Sequence, residues 1–204
     1  MIKNIIFDIG NVLVHFRPLE VMAELGMDED TVQAVADATL RSPLWCELDR
    51  GVIPEETVIQ MMKQTAPDSH KDDVQAFFDK GTPLLVKSFD YSAGWLKSLK
   101  EKGYQIFLLS NYPERFFEMH SKNNFTFMQY INGKIVSGYV KKIKPDIEIY
   151  SLLLNQYSLT PQECVFIDDV KENIEGAEKA GIHGIHFTNF DEVQSKLKTL
   201  LDLA

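Results

Sequence analysis

A chain of 204 residues with 45% hydrophobic and 25% charged positions can bury a real core, enough for one α/β domain plus a sizeable insertion. Its formal net charge of −9 argues against nucleic acid or an anionic membrane as partner, since both attract basic surfaces, while leaving room for a small anionic substrate in a local positive pocket. No stretch approaches the ~18 apolar residues of a membrane span, Asp8 breaks the first apolar run before a secretory h-region forms, and Cys46 and Cys164 lack metal-site spacing, so a cytoplasmic protein with buried or inert thiols is expected.

Ile2, Ile5, Ile6 and Phe7 form a short apolar run rich in β-branched residues, which reads as a strand buried on both faces of a parallel sheet. Asp8 ends it, because an unpaired charge cannot stay inside, and Gly10-Asn11 then suit a sharp turn. From His15 to Ser88 no convincing strand appears. Pro18 opens a helix that Gly26 stops, Asp28–Leu40 is a second, and Pro54 begins a third after an Arg50-Gly51 turn. A polar loop over 66–71 precedes a further helix carrying Val74, Phe77 and Phe78. This block is read as an inserted helical cap over residues 15–88, with 1–14 and 89–204 forming the core.

After Tyr91 the pattern alternates. Trp95, Leu96 and Leu99 mark a helix ended by Gly103, and Gln105–Leu109 is a buried strand closed by Ser110-Asn111. A helix starts at Pro113, a short apolar stretch covers Ile135–Ser137, and Pro145 takes the first position of the next helix. Cys164–Ile167 is a strand ending at Asp168-Asp169; a helix over 173–180, a last strand over 184–187 and an amphipathic helix over 193–203 complete the chain. Strands separated by helices imply right-handed crossovers, hence a doubly wound, Rossmann-like parallel sheet.

Three strands thus end in polar groups: Asp8, Ser110-Asn111 and Asp168-Asp169. In a parallel sheet those ends share one edge, where ligands bind. Carboxylates from two strands suit a hard cation, and Mg²⁺ commonly uses one or two of them plus a substrate phosphate. Ser110 and Lys144 suit phosphate oxygens, and the set fits phosphoryl transfer with Asp8 as nucleophile.

Here the chain resembles the haloacid dehalogenase-like hydrolase superfamily along its whole length. The family's four motifs match in order as Phe7-Asp8-Ile9-Gly10-Asn11, Ser110-Asn111, Lys144-Pro145-Asp146, and Ile167-Asp168-Asp169 with Asn173, and the helical insertion resembles a C1-type cap. The resemblance implies an aspartyl-phosphate formed on Asp8. It implies Mg²⁺ held by Asp8, the carbonyl of Gly10 and Asp169, with Asp168 a ligand or a partner of one. It also implies phosphate bound by Ser110 and Asn111, and Lys144 restraining both Asp8 and the phosphate. One departure matters: family phosphatases carry a second Asp, the general acid and base, where this chain has Gly10, followed by Asn11 and Val12. The Asp-x-Gly-Asn-Val form resembles a bacterial branch that includes sugar-1-phosphate phosphatases such as α-D-glucose-1-phosphatase, whose acidic leaving group needs less protonation.

A Mg²⁺-dependent phosphatase for a small phosphorylated metabolite, a sugar phosphate above all, is therefore expected, acting as a monomer or weak dimer. The alternatives are a weakened scaffold that only binds, motivated by Gly10, and a haloacid dehalogenase using Asp8 without metal. Trp45 and Arg50 are candidates for choosing the substrate from the cap, against plain roles in the cap core and on its surface. His15 is a candidate for the missing acid against a role in the hinge, and Asn173 for capping a helix or orienting Asp169.

Overall fold

A computed structural model describes residues 1–203 of the chain. Its strands are β1 (Asn4–Phe7), β2 (Val14–Phe16), β3 (Val86–Ser88), β4 (Gln105–Ser110), β5 (Gly133–Val136), β6 (Cys164–Asp168) and β7 (His183–His186). Five of them form one parallel sheet in the order β5-β4-β1-β6-β7, with β1 at its centre. All four residues of β1 are buried, as a central parallel strand requires. Successive side chains enter opposite layers: Ile5 and Phe7 join one apolar cluster with Trp95 and Leu96, whereas Ile6 joins another with Ile149, Tyr150 and Leu153. The sheet is doubly wound.

The helices, in chain order, are α1 (Pro18–Glu24), α2 (Glu29–Ala38), α3 (Leu44–Arg50), α4 (Glu55–Thr65), α5 (Lys71–Ala76), α6 (Ser92–Glu101), α7 (Glu114–Asn123), α8 (Ser137–Val140), α9 (Ile147–Gln156), α10 (Lys171–Lys179) and α11 (Phe190–Leu203). Among the described residues, no helix is long and apolar enough to cross a membrane. Helices α1–α5 lie in sequence between β2 and β3. Their apolar faces belong to the same continuous cluster as one side of the sheet. An aromatic file joins the two: Phe16 to Trp45 at 6.0 Å between ring centroids, Trp45 to Phe78 at 6.4 Å, and Phe78 to Phe116 on α7 at 6.5 Å.

Several sequence expectations are corrected. Residues 15–88 do contain strand: β2 and β3 pair antiparallel, with Val14 opposite Ser88 and Phe16 opposite Val86. Three-residue strands are too short for alternation to reveal them. Arg50, expected in a turn, is the last residue of α3, which also carries Trp45, and Gly51 ends that helix with φ of 67°. Pro145 precedes α9 instead of opening it, in a turn where the Asp146 N–H donates to the Ile143 carbonyl. Cys46 is exposed on α3; Cys164 is buried in β6, as expected.

Candidate active site

Parallel register brings the predicted groups together. Phe7 is level with Leu108 on one side and Ile167 on the other, so Asp8, Ser110 and Asp168 follow at nearly the same height. The Ser110 hydroxyl donates to Asp8 Oδ1 at 2.6 Å. Lys144 Nζ lies 2.8 Å from that same oxygen and 2.6 Å from Asp168 Oδ2. Asp8 Oδ1 is thus held twice.

The Lys144 side chain is 1% exposed, so its position depends on its neighbours. Asn111 clamps the lysine backbone: its Nδ2 donates to the Lys144 carbonyl at 3.0 Å, and its Oδ1 accepts from the Lys144 N–H at 2.8 Å. On the far side Asp168 accepts from Asn173 Nδ2 at 3.0 and 3.1 Å and from the Val170 N–H at 2.7 Å. Asn173 therefore orients Asp168, not Asp169. Asp169 accepts from Asn11 Nδ2 at 3.1 Å, and Asn11 takes a positive φ of 52° in the turn after Asp8. The asparagine that replaces the family's glycine thus positions an acidic side chain across the site.

The charges do not balance within the protein. Asp8, Asp168 and Asp169 can each offer an oxygen within 4.8 Å of the others, against the single ammonium of Lys144. Burial pushes the Asp8 carboxyl up to about 6, with Lys144 opposing and the two other aspartates adding to the rise. Burial also raises Asp169, although the Asn11 hydrogen bond counters it. Burial alone would lower Lys144, but Asp168 and Asp8 together hold it above its ordinary value. An all-oxygen donor set with excess negative charge fits a hard divalent cation.

A cavity of about 100 Å³ opens in front of Asp8, between the sheet edge and the interposed helices. Asp8, Ser110 and Asn111 form its polar floor; Phe16, Trp45, Leu85, Val86, Tyr112 and Phe116 supply apolar walls, and Asp49 and His120 also line it, with Gly10 and Pro113. Trp45 is where substrate could touch it. Arg50 is not in the wall, because its guanidinium is 3.6 Å from both Glu47 and Asp146. His15 lies outside too: it is exposed on β2, stacked on Phe89 at 6.1 Å and 3.6 Å from Glu20.

Asp49 went unnoticed in the sequence. It stands four residues after Trp45 on α3 and therefore on the same face. That spacing is the available signal, but it means little until α3 is known to face Asp8. Burial pushes its carboxyl up to about 8, Asp8 adding repulsion and Lys144 opposing.

Comparisons with known proteins agree with this geometry. The family model of haloacid dehalogenase-like hydrolases matches residues 2–181. A sesquiterpene phosphatase of Aspergillus oryzae is 27% identical over 191 residues, covering 92% of this chain and 90% of its own. A D-ribitol-5-phosphate phosphatase of Bacteroides thetaiotaomicron is 24% identical, covering 99% of this chain and 100% of its own. Among solved structures, a family enzyme from B. thetaiotaomicron in complex with magnesium and inorganic phosphate superposes with a TM-score of 0.69 at 22% identity, over 95% of this chain and 99% of that one. A predicted hydrolase of the family from Porphyromonas gingivalis gives 0.71 at 21% identity, over 98% of each chain. At such identities the structures speak for the fold alone. With the family model matching residues 2–181, and with a strand ending in Asp8, a serine, a lysine and an acidic pair meeting at one sheet edge in the family's order, the chain belongs to the haloacid dehalogenase-like hydrolases.

Proposed function

We propose that the protein is a Mg²⁺-dependent phosphatase for a small phosphorylated metabolite of sugar-phosphate size. The observation that carries this reading is the double hold on Asp8: Ser110 and Lys144 both bind Oδ1, in front of a cavity and beside two further carboxylates. Asp8, the carbonyl of Gly10 and Asp169 would hold the cation. Both oxygens of Asp168 already accept hydrogen bonds, so its part is to keep Lys144 aimed at Asp8. When bound, Mg²⁺ offsets the repulsion between a phosphate dianion and the carboxylates.

Asp8 attacks phosphorus, an aspartyl-phosphate forms and the alcohol departs; water then cleaves the intermediate and restores the carboxylate. Ser110 and Lys144 turn from Asp8 toward the phosphate oxygens as charge builds there, and the backbone N–H of Asn111 joins them. The apolar walls favour an uncharged organic group over a second phosphate. Residues 15–88 act as a cap that admits substrate by opening and excludes water by closing. A dehalogenase would use Asp8 but has no need of the three-carboxylate cluster, and a mere scaffold has no need of a buried lysine held against the nucleophile.

The test is phosphate release from a panel of phosphorylated metabolites with and without Mg²⁺. Turnover that needs Mg²⁺ and disappears in Asp8→Asn is expected; equal release without the cation, or with the variant, would overturn the reading.

A further inference from the structure

Gly10 leaves the departing alkoxide without the proton donor that the family's second aspartate supplies. The cavity contains few groups able to replace it, and the hydrogen bonds eliminate most of them. The Ser110 hydroxyl donates to Asp8, and in the proposed reaction it turns to the phosphate oxygens and not to the leaving oxygen. His120 is buried with both ring nitrogens engaged: Nε2 faces the Thr82 carbonyl at 2.7 Å, which can only accept, so Nδ1 accepts from the Tyr112 hydroxyl at 2.7 Å. Tyr112 therefore spends its own proton on His120.

Asp49 remains. It lines the same cavity as Asp8 and Ser110, and among the described residues its carboxyl makes no hydrogen bond and no ion pair. Asp49 is half-buried, and it shares the cavity wall with Trp45, Phe16 and Phe116. Its place is fixed by the core. The Asp49 carbonyl accepts from the Ser137 hydroxyl at 2.6 Å, and Ser137 Oγ accepts in turn from the Tyr112 N–H at 2.8 Å. Gly51, two residues on, takes its left-handed turn against Gly138, where an added Cβ would lie 3.2 Å from the Gly138 carbonyl. The end of α3 is thus pinned beside the strand that carries Ser110.

We infer that Asp49, supplied by the inserted helices, is the general acid and base of the phosphatase reaction, standing in for the side chain absent at Gly10. The inference rests on the phosphatase reading above. In the first half-reaction an Asp8 oxygen forms the bond to phosphorus and the bond to the leaving oxygen breaks. The carboxyl proton of Asp49 goes to that oxygen, releasing a neutral alcohol. In the second, Asp49 as carboxylate takes a proton from water while the hydroxyl bonds to phosphorus. The bond to Asp8 breaks, inorganic phosphate leaves, and both carboxyl groups return to their starting states. Burial favours the protonated form that the first step needs. The charged and titratable groups around Asp49 are Asp8, Lys144, Tyr112 and His120, with Cys46 on its own helix.

The test compares wild type and Asp49→Asn, a change of nearly equal volume, on an aryl phosphate with an acidic phenol and on a primary alkyl phosphate, both with Mg²⁺. In the variant, kcat/KM for the alkyl ester is expected to fall by about 100-fold or more, while the aryl ester changes by less than about threefold, since an acidic phenol leaves unaided. A variant that lowers both esters alike, or neither, overturns the acid role and leaves the phosphatase reading standing. Wild type inactive on both esters overturns the two together. If the variant folds poorly, the wild type decides by itself across a series of esters. A shallow dependence of rate on leaving-group acidity supports Asp49, and a steep one overturns it.

Discussion

At the scale of single residues, the site is a set of charges that hold one another in place. Lys144 is the one cation between Asp8 and Asp168. Replacing it by methionine leaves two buried carboxylates uncompensated, and breaking such a pair costs about 3–5 kcal/mol. That penalty should be greatest at neutral pH and fade as pH falls toward about 4, where carboxylates also take up protons in the unfolded chain. Chemical denaturation of Lys144→Met across that range checks it.

Asp49 gives a second pH signature, with the sign set by its raised value. Its carboxyl titrates near 3.8 as an ordinary carboxylate and at about 8 in the fold, so the folded state binds the proton more tightly between those limits. Stability contributed by this group falls as pH rises through that window. Asp49→Asn removes the slope, and its melting temperature relative to wild type should be more favourable at pH 8 than at pH 5. Equal differences at the two pH values would contradict the assignment. Gly10 has room for the absent acid, since an added Cβ meets nothing within 4 Å. Gly10→Asp in the Asp49→Asn background is expected to restore activity on alkyl phosphates by at least about tenfold, a part of what general acid catalysis supplies.

At the scale of elements, α3 would link substrate choice to the proposed chemistry, because Trp45 and Asp49 share one face and Gly51 fixes where that face lies. Gly51→Ala would hold a side chain in the left-handed region and press a methyl group against Gly138 and Lys141. A cost of about 1–2 kcal/mol in stability is expected from the backbone alone. A larger relative loss of kcat on alkyl than on aryl phosphates should accompany it, as Asp49 is displaced. Trp45→Ala should reorder substrates by changing kcat/KM ratios. Arg50→Ala should not reorder them, because Arg50 meets Glu47 and Asp146 outside the cavity. A panel of phosphate esters assayed on both variants separates the two outcomes.

At the scale of the whole molecule, the cavity of about 100 Å³ lies in front of Asp8, which is 8% exposed, and the proposed cap would open to admit substrate. If residues 15–88 act as the proposed cap, the hinge would be the two-stranded ribbon of β2 and β3, since both chain crossings into the inserted helices run through it. Occupancy of the cation site should also register globally. At a Mg²⁺ concentration about 100 times its dissociation constant, binding stabilises by about 2.7 kcal/mol, which raises the melting temperature of a chain this size by about 5–10 °C. The rise should vanish in Asp169→Asn if Asp169 is a ligand, and calorimetry with and without the cation measures it.

The doubly wound sheet and the four polar strand ends and turns proposed to carry chemistry, Asp8, Ser110-Asn111, Lys144 and Asp168-Asp169, were legible in the sequence. Those features are local: an apolar run, a charge that ends it and the turn residues that follow lie within a few positions of one another. The short ribbon of β2 and β3 escaped, because three residues hold too little alternation to read and its pairing spans about seventy positions. The candidate acid escaped for a related reason. His15, seven positions after Asp8, points outward from β2, whereas Asp49, some forty residues away, was carried to the cavity by the docking of α3 on Ser137. Which carboxyl faces the leaving group depends on how two layers pack. Only the tertiary structure decides that, since the spacing along α3 specifies a face and not what the face meets.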